Sequence, residues 1–289
     1  MFGGFKYIDC DKQLDISHIM TRTMPHDTDI SYSYLSDLLS ILEKSPTAVY
    51  LINETISYNF KVVCAKDIDT SVAGFHDKTS SIIFPAFSAT DLKYKKNLGA
   101  ALITVTAGLR RALKLNQGHM NRFDLEPLEY LRLTRLIEAD IDAVTVQICW
   151  ELRTAGEVDP WRQLISGEKG DLAVVYSNAL KKYPIGQYDG RVLRYVFRQW
   201  FADAKRTNAA DHIGLEMIDM AIAHPDYFEY SFDQDLTKND LRLLQKNLPF
   251  ENYLENINVF GKWFDGLKDP FNQAHLHHLL KDIQIFDNN

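Results

Sequence analysis

The chain has 289 residues with 32 Lys plus Arg against 39 Asp plus Glu, a net charge of −7, and is 46% hydrophobic and 25% charged. This is the composition of a soluble folded protein, and it speaks against a chain that coats nucleic acid, which is ordinarily basic. The cysteines Cys10, Cys64 and Cys149 lie far apart with no CxxC pair, which excludes a disulfide scaffold or a thiolate zinc knuckle and suits a reducing compartment.

The first 30 residues show no clear periodicity. Leu35, Leu38, Leu39 and Leu42 recur at three and four, so the spacing predicts a helix over 31–44. Ser45-Pro46 breaks it, and Pro46 suits the first turn of a second helix reaching Ser57. The β-branched run FKVVCA at 60–65 predicts a strand. Val72–Phe75 and Ser81–Phe84 predict a hairpin around HDKT.

Beyond residue 88 the pattern is helical. Ser88 with Asp91 resembles a capping box opening one helix to about Leu115, with Leu98, Leu102, Val105, Leu109 and Ala112 on its apolar face. Pro127 opens the next, whose stripe of Leu136/Ile137, Ile141, Val144, Ile148 and Leu152 ends at Gly156. Further helices are predicted near 160–166, 171–182, 189–206, 211–223, 238–246 and 272–283. No apolar run spans the roughly 20 residues a membrane helix needs. The stretch MFGGFKYIDCDK, with Asp9 and Asp11, does not read as a secretion signal. A cytoplasmic location is expected. The fold class expected is α+β and predominantly helical: an N-terminal segment (1–30), a main domain (31–245) with a small sheet and a helical core, and a helical C-terminal extension (246–289) packed on it.

Two consecutive helices carry a resemblance. The first contains Thr106-Ala107-Gly108-Leu109-Arg110-Arg111, and the second contains the EADIDA run Glu138–Ala143. With the SSIIFPA strand and the YDGRVLRYVFRQWF segment at 188–201, they resemble a bacterial family of putative zinc metallopeptidase domains, otherwise of unknown function, over about residues 35–245. Its members show a strand, then a helix with HExRH, then a helix with EADA. The resemblance implies a zincin-like core. In HExxH two His four apart reach one zinc ion, and the Glu acts as general base.

On this alignment Ala107 and Arg111 stand at the His positions and Gly108 at the Glu position. Glu138 alone keeps a ligand type, at the third-ligand position. The resemblance therefore implies a degenerate member with a vestigial site of Ala107, Gly108, Arg110, Arg111, Glu138 and Asp142, with no catalytic residue and no metal. Arg111, helped by Arg110, is expected to pair with Glu138 and substitute for the metal as a strut. The alternative is that both arginines lie on a solvated face while Glu138 pairs with Arg135 one turn earlier.

Other groups have the residue types of a site. His275, His277 and His278 with Asp282 offer ligand spacing. Asp211 and His212 with Glu216 and Asp219 offer an acid/base pair. Arg191, Arg194, Arg198 and Lys205 form a basic face that could meet an acidic partner or a phosphate backbone, and Lys93, Lys95 and Lys96 a weaker patch. Each also reads as ordinary helix surface, and Cys149 as packed core. The function expected is a non-catalytic binding or regulatory protein with a peptide or protein partner, without cofactor, membrane or nucleic acid. The alternative is a metal-dependent hydrolase, with zinc on ligands recruited from elsewhere, such as His119, His76 or His212.

Overall fold

The computed structural model describes residues 13–25, 28–66, 73–76, 80–119, 121–226, 228–246, 248–250, 253–254 and 266–287. Cys10 and most of the HDKT turn lie outside them. A two-residue strand β1 (Leu14–Asp15) and a short helix α1 (Ile16–Met20) come first. Neither shows in the periodicity of the first 30 residues, because five residues are too few to display a period. Helix α2 (Ile30–Leu42) starts where the Asp29 carboxylate accepts the Ser31 N–H at 2.9 Å. Helix α3 (Pro46–Ser57) has the predicted bounds. The Ser45 hydroxyl accepts the Ala48 N–H at 3.1 Å, and Pro46 occupies the first turn.

Strands β2 (Lys61–Ala65), β3 (Gly74–His76) and β4 (Ser81–Pro85) complete a four-stranded sheet in the order β1-β2-β4-β3. The predicted hairpin is the antiparallel β3–β4 pair, with Phe75 opposite Ile82. The β2–β4 pair is parallel, with Val63 opposite Ile83. All of β4 is buried, as its unbroken apolar run requires.

The predicted helix from Ser88 is two helices. The capping box forms, with the Ser88 N–H donating to Asp91 Oδ2 at 2.8 Å, but it opens only α4 (Ala89–Lys93). The chain then turns extended at Tyr94 before α5 (Lys95–Asn116). Core-facing periodicity begins only at Leu98, so nothing apolar holds 89–97 in one helical register.

Helix α6 (Pro127–Thr154) follows the predicted stripe and stops before Gly156, whose φ is +96°. It packs against α3 and α5 and against the helices that follow, α7 (Asp159–Ser166), α8 (Gly170–Lys182), α9 (Arg191–Trp200) and α10 (Ala204–Ala223). A helix surrounded in this way is buried on nearly every side, not on one stripe. The predicted 189–206 helix is also interrupted: α9 ends at Trp200, and Asp203 caps α10 by accepting the Lys205 N–H at 2.9 Å. Helices α11 (Lys238–Leu244) and α12 (Pro270–Asp287) close the chain, with α12 on α10. Among the described residues no helix is long and apolar enough to cross a membrane.

Candidate functional site

Charges on a helix buried all round cannot be left to water, so each needs a partner. Helix α6 carries Arg135, Glu138, Asp140 and Asp142, and the structure pairs all four. The Arg111 Nη2 on α5 donates to Glu138 Oε1 at 2.7 Å and Oε2 at 2.6 Å, with side chains 18% and 16% exposed. One step deeper, Arg110 Nε donates to Asp140 Oδ2 at 2.7 Å and Nη2 donates to Oδ1 at 3.1 Å; both side chains are fully buried. Asp142 accepts from the Trp200 indole at 3.0 Å and from Lys169. Arg135 forks onto Asp211 at 2.5 and 2.7 Å.

The pairing of Glu138 with Arg135 is therefore absent, and Arg110 is not on a solvated face. Arg110 does not assist Arg111 at Glu138. It serves its own carboxylate and also donates to the Lys246 carbonyl at 3.0 Å.

Electrostatics follow this geometry. Burial opposes charge on Arg111, but the Glu138 carboxylate, with Asp142 beyond it, raises its pKa above the ordinary guanidinium value. Burial likewise opposes charge on Asp140; Arg110 and then Lys114 outweigh it and hold the carboxyl below its usual range. Lys114 is itself fully buried, 3.8 Å from Asp140 Oδ2, and donates to the Leu244 carbonyl. Burial and the neighbouring Arg110 push its pKa well down. The Tyr253 hydroxyl also donates to Asp140 Oδ1.

Sequence reasoning missed Asp140, Lys114 and Tyr253. Two signals were present: Arg110 and Lys114 stand four apart on one helix face, and Asp140 lies inside EADIDA. Tyr253 had no local signal.

The remaining positions close the site. Ala107 packs against the core. Gly108 faces the sheet, where an added Cβ would lie 2.6 Å from Phe84 Cε1 and 2.7 Å from the Ala73 Cβ. A glutamate at this position would have to displace a buried ring. The donor set left is two carboxylates, Glu138, already held by a permanent cation, and Asp142, already held by Lys169 and the Trp200 indole. Alanine and glycine offer no ligand atom, and a guanidinium has no lone pair to give. These residues do not fit a catalytic zinc.

The other candidates disperse. His119 is buried, bonded to the Leu243 carbonyl, with Nε2 unpartnered among the described residues and its pKa pushed down to about 4 by burial and then by Lys114. His212 is exposed and lies 3.2 Å from Glu216, whereas Asp211 is consumed by Arg135. His275 reaches Asp219 only at 3.9 Å, and His278 lies 3.0 Å from Asp282. His76 belongs to β3. Among the described residues no three His, Cys, Asp or Glu side chains gather as a metal site. Burial raises the Cys149 thiol to about 12, so it is inert core. Lys93, Lys95 and Lys96 are exposed across the α4–α5 break. A cleft of about 440 Å³ sits at the start of α3, bordered by Thr47, Gln147, Glu151 and Tyr188, and no residue of α5 lines it.

Fold and site together define a helical α+β protein in which two ion pairs, one fully buried, join consecutive helices behind a small sheet. The model of the Putative metallopeptidase family (DUF6782) matches residues 17–212, and the chain belongs to that family. The match begins earlier and ends earlier than the resemblance over 35–245 suggested. No curated protein and no solved structure matches the chain.

Proposed function

We propose that this chain is a pseudoenzyme of its family: a non-catalytic binding or regulatory protein on a metallopeptidase-like scaffold, with a peptide or protein partner in the cytoplasm. The observation that supports it most is the closure of the general-base position. Phe84 and Ala73 occupy the space that a side chain at Gly108 would need, while the Arg111 guanidinium engages the carboxylate at the third-ligand position, Glu138. A cation at a carboxylate that would otherwise bind metal answers the same electrostatic need without a Lewis acid or a bound water. The cytoplasmic placement rests on sparse cysteines, with Cys64 and Cys149 as free thiols.

Elemental analysis of the purified protein tests this reading, with thermal melting before and after chelator. The expected result is no stoichiometric zinc and an unchanged melt. Stoichiometric zinc that a chelator removes with loss of stability would overturn the reading in favour of a hydrolase with recruited ligands.

A further inference from the structure

Three arginines, Arg191, Arg194 and Arg198, stand at i, i+3 and i+7 on α9, with Arg191 and Arg198 exposed and Arg194 half-buried. With Tyr183 and Tyr195 they line a concave pocket of about 290 Å³. Lys205, grouped with them by sequence, belongs to the next helix. The tyrosine rings stack at a centroid distance of 5.9 Å and bring their hydroxyls to 3.5 Å. Arg191 covers Tyr183 from 5.7 Å, and Lys182 approaches the same ring at 5.3 Å.

Among the described residues no carboxylate lines the pocket. Asp189 sits at its edge, paired with Arg191 at 2.7 Å. Arg194 Nε donates to the Tyr253 carbonyl at 2.9 Å, and its two terminal nitrogens are not committed to that bond. The first turn of α9 holds no acidic residue, and its N-terminal dipole adds to the same positive potential. In a chain of net charge −7 this is a half-open cationic pocket with planar guanidinium forks and phenol donors.

We propose that this pocket binds a phosphate monoester. Guanidinium forks match the phosphoryl oxygens in a bidentate manner, and tyrosine hydroxyls can donate to a third oxygen. The acidic balance of the rest of the chain opposes a long polyanion, so one phosphoryl group fits better than a nucleic-acid backbone. A free phosphorylated metabolite and a phosphorylated peptide side chain present the same chemistry. The site shares no residue with the Arg111–Glu138 region, so it stands or falls independently of the zinc reading.

The test is titration of the full chain at low ionic strength, by calorimetry and tyrosine fluorescence. The probes are phenyl phosphate, a nucleoside monophosphate, a phosphotyrosine peptide and a single-stranded oligonucleotide. Saturable binding of phenyl phosphate is expected. It should weaken at least about tenfold in Arg191→Gln/Arg198→Gln, which leaves the Arg194 anchor intact. Arg162→Gln, an exposed arginine on α7, should bind as wild type. If the double variant melts early, Arg198→Gln alone should still weaken binding. Preference for the mononucleotide or for the peptide identifies the source of the phosphoryl group, and both support the site. Absence of saturable phenyl phosphate binding, equal affinity in wild type and Arg198→Gln, or tighter binding of the oligonucleotide than of the mononucleotide would overturn it.

Discussion

A single nitrogen of Arg111, Nη2, lies 2.7 and 2.6 Å from the two carboxylate oxygens of Glu138. The pair ties α5 to α6 at a depth where neither charge can be left to water. Removing one partner leaves the other desolvated, so Glu138→Ala should cost about 2–4 kcal/mol in denaturant unfolding. Arg111→Met with Glu138→Leu removes both charges and should return to within about 1 kcal/mol of wild type. A single substitution costing under about 0.5 kcal/mol would show a solvated contact instead.

Asp140 has more to lose. It compensates Arg110 directly and faces Lys114, and it accepts from Tyr253. Asp140→Ala should cost about 3–5 kcal/mol or prevent folding, because the fully buried Arg110 guanidinium then lacks an anion in the interior. Tyr253→Phe should cost only about 1–2 kcal/mol, one hydrogen bond's worth. The exposed Asp219→Ala should stay within about 0.5 kcal/mol. Comparable losses for Asp140→Ala and Asp219→Ala would contradict the buried cluster.

Gly108→Ala sets two effects against each other. Helix propensity favours alanine by about 1 kcal/mol, whereas forcing a methyl against a packed wall costs about 1–3 kcal/mol. The obstacles are the ring of Phe84, which is fully buried, and the Ala73 Cβ. Overpacking should win, and Phe84→Leu in the same chain should recover part of the loss. A stabilised Gly108→Ala protein would mean that α5 does not press on the sheet as described.

His119 supplies a pH signature. Its pKa falls from 6.5 to about 4 in the folded protein, by burial first and the Lys114 charge second. A base with a depressed folded pKa binds its proton more readily when unfolded, so stability falls as pH drops from 6.5 towards 4. The loss at the lower end is about 3 kcal/mol. His119→Gln should flatten the unfolding free energy across that window, and a slope unchanged by the substitution would show that other groups carry it.

Much of the fold was legible because it is local. Pro46 and Ser45 announce α3, the apolar period of α6 runs to Gly156, and the hairpin about 76–81 is written in alternating short runs. The breaks at Tyr94 and at 201–203 were not legible. Helical propensity continues across both, and only packing decides where the axis turns. Of the candidate site, Arg111 opposite Glu138 could be anticipated from two motifs on consecutive helices. The deeper Arg110–Asp140–Tyr253 group could not, since its third member comes from 113 residues further along the chain.

The sequence by itself determined which residues at the two motifs can donate to a metal and which cannot, because that is a property of the side chains: Ala107, Gly108 and Arg111 offer no ligand at any geometry. The tertiary structure decided who pairs with whom. Arg135 has Glu138 one turn away yet turns to Asp211 on α10, and Arg110 finds Asp140 one layer beneath the Arg111–Glu138 pair. Helical spacing offers each charge several partners of similar energy, and burial selects among them by penalising every charge left alone.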